Sequence, residues 1–322
     1  MGKLKTVDWG RYGIVAALVV LIVFFSVAAP SFLTVGNVLN ILRQVSIVGI
    51  CAVGMTFVIL TGGIDLSVGS IVGVSAVVGA FLMASGTPVW LAILVVLGVG
   101  ALAGALNGFL ISEVDIAPII ATLGVMTALR GIAYIITGGL PIYGLPESFS
   151  LLGQGYFLGI PVPVFFLVAA FALGWFLLSK TTFGRSVYGI GGNAEATRLA
   201  GISIRKVTYK IYVFAGVLYA IAGLILLSRA NSGQPKAGDG YEMDVITACV
   251  LGGISVAGGQ GRISGVIYGV LIMGVLTNGM IMMNVNEYWQ WVVKGVVLLG
   301  AVAIDRMSRK RAKVLAAIQK VG

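Results

Sequence analysis

The chain is a succession of long apolar stretches separated by short polar interruptions. Ten stretches approach the length of a membrane span: 12–29, 45–61, 68–85, 89–111, 118–137, 161–179, 210–228, 243–258, 263–283 and 288–305. A helix crossing the hydrocarbon core needs about 20 mostly apolar residues. The third and eighth stretches are short and lie beside Gly62-Gly63 and Gly252-Gly253. The expectation is an all-α integral membrane protein of about ten transmembrane helices, forming one domain over residues 1–322.

Composition supports this reading. Of 322 residues, 59% are hydrophobic and 10% charged, with mean hydropathy +1.07. A soluble domain carries roughly 25% charged residues, and its surface needs polar cover that this chain cannot supply. The 47 glycines suit membrane helices, whose backbones approach closely over small residues.

Charge placement then sets the expected topology. With the N-terminus inside, the inside segments hold Lys3, Lys5, Arg11, Lys180, Arg185, Arg198, Arg205, Lys206, Lys210, Arg262, Arg306, Arg309, Lys310, Arg311, Lys313 and Lys320. The outside segments hold Arg43, Arg229 and Lys236. That bias follows the positive-inside rule, so both termini, the loop 180–210 and the basic tail 306–322 are expected in the cytoplasm. The net charge of +10 has the same origin, and nucleic-acid binding is not implied. Lys3, Lys5 and Arg11 before an apolar run resemble a signal peptide, but the run from Ile14 to Ala29 is long for one, and Pro30 follows the plausible cleavage site. It reads as a retained first helix. Outside, residues 138–160 form the longest loop, which either meets an external partner or packs as a lid.

Few residues offer chemistry. The chain has no His, and Cys51 and Cys249 sit in apolar runs without metal-ligand spacing. No metal site and no catalytic constellation is expected. Gly62-Gly63-Ile64-Asp65 and Gly252-Gly253-Ile254-Ser255 form a weak internal repeat. Glycine-interrupted segments at matching places in two halves point to broken helices beside a translocation route. Asp65 suits the N-cap of the next helix; direct contact with a solute is the other reading. Asn107 and Asn278, each followed by glycine, either bond a neighbouring helix or meet a polar solute. Arg130 and Lys294 lie inside apolar spans. A central Lys costs about 2.5–3.5 kcal/mol on insertion, so both cations are expected to pair with acids, the candidates being Asp65, Glu242 and Asp244.

The loop 180–210 contains Gly191-Gly192-Asn193-Ala194-Glu195-Ala196-Thr197-Arg198-Leu199-Ala200-Gly201-Ile202. Asn193 caps a helix start, Glu195 suits its positive end and Arg198 its last turn, and Gly201 ends it in the left-handed conformation. A helix of two turns is unstable alone, so it should dock. Its mixed face disfavours lipid headgroups as the docking surface.

Three motifs carry a family resemblance: Val53–Gly69, Gly191–Ile202 and Val250–Gly261. Together and in this order they resemble the permease subunit of bacterial ribose-type ABC importers. The resemblance implies a type II importer fold, a homodimer, a cytoplasmic ATPase with two nucleotide-binding domains, and a periplasmic or lipid-anchored sugar-binding protein. It implies a bacterial inner-membrane location and a coupling helix that includes Gly192, Asn193, Glu195, Ala196, Arg198, Leu199, Ala200 and Gly201. The implied solute is a monosaccharide, ribose or another pentose or hexose. Branched-chain amino acids, nucleosides and autoinducers remain alternative solutes. The chain has no G-x-x-x-x-G-K-[ST] phosphate loop, so ATP would be used by a separate subunit and no cofactor is expected here. An ion-coupled secondary transporter would need more intramembrane acids, and a membrane enzyme would need a site that the sequence lacks.

Overall fold

The computed structural model describes the backbone of residues 9–321 and the side chains of residues 13–307. Lys3 and Lys5, and the tail side chains beyond residue 307, lie outside the described residues. The chain is almost entirely helical: α1 (Trp9–Ala28), α2 (Val35–Leu60), α3 (Val68–Ala84), α4 (Val89–Ser112), α5 (Pro118–Thr137), α6 (Glu147–Gln154), α7 (Val162–Lys180), α8 (Thr182–Gly192), α9 (Ala194–Leu199), α10 (Ile204–Ala230), α11 (Tyr241–Leu251), α12 (Ile263–Met282) and α13 (Glu287–Val321). A two-residue hairpin, β1 (Tyr156–Phe157) with β2 (Ile160–Pro161), is the only sheet among the described residues. Among the described residues, seven helices are long and apolar enough to cross a membrane: α2, α4, α5, α7, α10, α12 and Glu287–Met307 of α13. Gly13–Ala28 and Val68–Ala84 are shorter apolar helices.

A helix that is apolar on every side must be surrounded. Val45–Leu60 of α2 is such a run, and all of it is buried. It packs against α10, α12, α7 and α11, while α10 also packs along α3 and α4. Small residues permit the tightest of these contacts: a Cβ at Gly104 would fall on the Tyr212 carbonyl, and one at Gly216 on the Gly100 carbonyl. The rim is made by α4, α5, α7 and α13, which leave Leu102, Ile120, Val168 and Leu299 exposed to what a membrane would supply.

α13 runs on to Val321, well past its apolar run, and α2 and α10 begin well before theirs, because their polar first turns have protein partners. α2 begins at Val35 instead of residue 45. Asn37 exchanges two amide hydrogen bonds with Asn278, Asn40 accepts from Arg229, and Arg43 donates to the Gln154 carbonyl. Arg43 also lies over the Tyr156 ring. Thus two of the three cations expected outside are tied to neighbours at the same end of the molecule. α10 begins at Ile204 instead of residue 210, with Arg205 paired to Glu113 beyond the end of α4.

The predicted span 243–258 is corrected. α11 stops at Leu251, and a non-helical stretch through residue 262 follows. Eleven residues make about 16 Å of helix, half of a ~30 Å hydrocarbon core. The loop 138–160 is structured: α6 packs on α10, with Ser228 Oγ donating to the Phe149 carbonyl and accepting from Gly153 N–H. The hairpin tip turns through Leu158 and Gly159, both at positive φ.

Candidate functional site

Both glycine repeats break a helix, and both use the same hydrogen bonds. After α2, Gly62 N–H bonds the Ile59 carbonyl and Gly63 N–H the Val58 carbonyl. After α11, Gly253 N–H bonds the Val250 carbonyl and Ile254 N–H the Cys249 carbonyl. These are Schellman motifs, whose C′ residue is left-handed and therefore glycine. Gly62 has φ +83° and Gly253 +82°, whereas Gly252 is at −68°.

The first break is locked by side chains. Asp65 is fully buried and accepts from Ser67 N–H at 2.9 Å and Ser67 Oγ at 2.5 Å. It makes an Asx turn before the helix and is not the cap itself; Ser67 is the boundary residue of α3. Asn107 of α4 donates to Ser67 Oγ at 2.8 Å. Thr122 of α5 accepts from Leu66 N–H and donates within reach of the Ile64 carbonyl. Asp65 and Asn107 thus come together, about the backbone that follows Gly62-Gly63.

The intramembrane cations have different partners. Lys294 of α13 meets Asp244 of α11 at 2.7 Å, both largely buried. Arg130 forms no ion pair among the described residues, although Glu242 lies close enough to feel its charge: its guanidinium donates to the carbonyls of Pro235 at 2.9 Å and Ala237 at 2.8 Å. The segment 231–240 is not helical and lies along α3, where a Cβ at Gly69 or Gly73 would fall on its carbonyls. Carbonyls freed by irregular backbone need donors from within the protein where they are buried, and Arg130 supplies two. Asn278 stands apart from both breaks, in its amide pair with Asn37.

The surface helix has the expected form. Asn193 Oδ1 accepts from Ala196 N–H at 2.9 Å, and Arg198 binds Glu195 at 2.5 Å, which holds the Glu195 carboxyl below its ordinary range. Gly201, at φ +82°, closes α9 with a third Schellman motif through the Arg198 and Thr197 carbonyls. Gly192, Asn193, Glu195, Ala196, Arg198, Leu199 and Ala200 are exposed, and Thr197 is buried beneath α9 on Gly189.

The structure adds what the sequence did not show: the three motifs are in contact. α8 leads directly into α9, and its last residues wedge between the two breaks. A Cβ at Gly191 would fall on the Leu60 carbonyl and on Gly259 N–H. A Cβ at Gly258 would lie 2.8 Å from Gly62 N, and one at Gly259 2.8 Å from Gly192 N. Gly259 N–H bonds the Leu60 carbonyl at 2.8 Å, and Tyr188 Oη donates to the Gly261 carbonyl at 3.0 Å. Only glycine permits backbones to pass so closely. The density of glycine in all three stretches was the available signal.

Two broken helices seated against an exposed surface helix, within a polytopic apolar bundle, define a membrane transport protein. Residues 37–302 match the family described as branched-chain amino acid transport system / permease component, and the chain belongs to that family. It is a multi-pass permease component and not an enzyme. The chain is 50% identical to the ribose import permease protein RbsC of Bacillus subtilis (strain 168), over 92% of each chain. It is 44% identical to RbsC of Escherichia coli (strain K12), over 90% of this chain and 91% of that one. It is 40% identical to the L-arabinose transport system permease protein AraH of Escherichia coli (strain K12), over 94% and 92%. The resemblance drawn from the three motifs is therefore borne out along nearly the whole chain. No solved structure matches it.

Proposed function

We propose that this chain is the membrane-spanning permease subunit of an ATP-driven importer of a neutral monosaccharide, with ribose the first candidate. The observation that carries the reading is near-full-length identity of 44–50% to permeases named for ribose import. The site agrees with a neutral solute. Lys294 is neutralised by Asp244, and the Arg130 guanidinium, still charged, already donates to the Pro235 and Ala237 carbonyls, so the described residues hold no cluster of one charge sign for an ionic solute. A charged solute without opposite charge would meet several kcal/mol of desolvation. The family description favours a second reading, import of branched-chain amino acids.

The partners follow from the same reading. The exposed face of α9, with Glu195, Arg198 and Leu199, is the seat of a cytoplasmic ATPase that has two nucleotide-binding domains. A periplasmic or lipid-anchored sugar-binding protein docks at the opposite end, where the hairpin exposes Phe157 and Leu158. Two copies of the permease form the pathway in the bacterial inner membrane, with type II importer architecture. Ten crossings place both termini in the cytoplasm; the eighth is composite, made of the segment 231–240 and α11.

Uptake by the assembled complex in proteoliposomes tests this. ATP-dependent accumulation of ribose, competed by few other sugars, is expected. Uptake of leucine or a nucleoside with no pentose or hexose transported would refute the substrate class. Gly201→Pro fixes φ near −65° where +82° is needed and should abolish transport while leaving membrane insertion intact. If that variant still transports and binds its ATPase, the assignment of α9 is wrong.

A further inference from the structure

An amphipathic cavity lies on the outer face of the bundle, and its polar part borders the α8 junction at Tyr188 and Gly261. Its apolar part has a volume of about 390 Å³ and runs between α2, α7 and α12, lined by Leu42, Val45, Phe171, Ala172 and Ile267 among others. Trp175, Ile263 and Ser264 line it and also line a second, polar cavity of about 460 Å³. The polar cavity adds Ser179, Tyr188 and Arg262. An apolar slot thus opens into a polar mouth at the end of the molecule that carries α8 and α9.

The mouth is basic. Arg262 is exposed and has no ion-pair partner among the described residues. Lys180 Nζ lies 5.6 Å above the Trp175 ring, which brings a second cation to the rim. Ser179 and Ser264 bring hydroxyls. Trp175, half exposed, has the placement of an interfacial aromatic. From Trp175 to Leu167 the slot follows α7 for about 12 Å of helix rise, a depth suited to an acyl chain.

We propose that this cavity binds one anionic phospholipid, with an acyl chain in the slot and the phosphate held at Arg262 and Lys180. Basic pockets between transmembrane helices on the cytoplasmic side take anionic headgroups by this physics. Only the assignment to the cytoplasmic leaflet rests on the proposed topology. Occupancy of the slot does not depend on what the permease transports.

The test uses the full permease chain with Trp9, Trp90, Trp289 and Trp291 replaced by Phe, so that Trp175 alone reports. It is reconstituted in neutral lipid that contains acyl-brominated phosphatidylglycerol or acyl-brominated phosphatidylcholine. Half-maximal quenching of Trp175 is expected at about thirty-fold lower mole fraction of the anionic lipid, the combined effect of two cations near an anionic headgroup. Arg262→Gln should cut that preference to about five-fold, Arg262→Gln with Lys180→Gln should remove it, and both should leave quenching by phosphatidylcholine unchanged. Ala172→Phe, which fills the slot, should weaken quenching by the anionic lipid. Equal quenching by both lipids would overturn the proposal. So would shielding of Trp175 from both, the result expected if a second copy of the chain covers the slot. Reversal of quenching by inorganic phosphate would show that the mouth takes the free ion, which also overturns it.

Discussion

The two Gly-Gly-Ile breaks look alike in sequence and end their helices alike, yet they are one residue out of step. The left-handed residue is the first glycine of the pair at Gly62 and the second at Gly253. Their locks differ as well. Side chains from α4 and α5 close on the first break through Asp65, Ser67, Asn107 and Thr122. The second is held mainly by backbone: Ser255 N–H bonds the Gln260 carbonyl, Gly259 N–H bonds the Leu60 carbonyl, Tyr188 adds a side-chain bond to the Gly261 carbonyl, and Gly258, Gly259 and Gly261 all have positive φ. Its Ser255 Oγ is buried with no partner among the described residues. One break is pinned to the bundle, whereas the other is a glycine loop resting on α8. The loop is the part suited to movement, since few side-chain bonds must break for it to shift.

Each variant below tests that contrast. The largest effect is expected where the half-helix leading into the second break is anchored. Lys294→Met leaves Asp244 buried and uncompensated, which should cost about 3–5 kcal/mol. The fall in Tm of the purified protein measures it, and Asp244→Leu in the same chain should recover most of the loss. Solute selectivity should not change, because the pair serves α11 and not the solute; a changed preference would place Lys294 on the route.

Next is the junction. Gly191→Ala pushes a methyl into the Leu60 carbonyl and should cost about 1–3 kcal/mol. Gly192→Ala, with open space around it, should stay within about 0.5 kcal/mol. Similar Tm values for the two would dissolve the junction. The locks give a paired test of similar or smaller size. Ser67→Ala strips partners from buried Asp65 and Asn107, at about 1–3 kcal/mol, while Ser255→Ala removes a hydroxyl that bonds nothing and should be near neutral. The smallest effects read the register. Asn adopts the left-handed conformation more readily than other side chains, so Gly62→Asn should be milder than Gly63→Asn, and Gly253→Asn milder than Gly252→Asn. If Gly252 tolerates Asn better than Gly253, the breaks are in step after all.

Much of this was legible because glycine and charge leave strong marks. The bounds of α9 followed from Asn193 and Gly201, and Asp244 was among the three acids named for Lys294. The direct partners of Arg130 were not legible, because they are backbone carbonyls of the segment 231–240 and no side chain signals a carbonyl exposed by irregular backbone; Glu242, one of the acids named, acts on Arg130 through space. α8 was hidden by Gly184, Gly189, Gly191 and Gly192, each of which lowers helix propensity by about 1 kcal/mol. Gly184, Gly189 and Gly191 serve contact instead. The first turns of α2 were missed because Asn37, Asn40 and Arg43 read as a polar interruption until Asn278, Arg229 and Gln154 meet them. The slip between the two repeats turns on which glycine takes positive φ, which a Gly-Gly pair does not reveal.

The central claim is that α8, α9 and the two breaks form one contact unit through which an ATPase on α9 acts on the transport helices. Amide hydrogen exchange of the assembled complex, with and without bound nucleotide, tests it without any mutation. If the claim holds, peptides covering 58–64, 188–193 and 255–261 change their protection together with 193–201 when the nucleotide state changes. A change confined to 193–201, with Gly259 N–H and its neighbours unaffected, would contradict it.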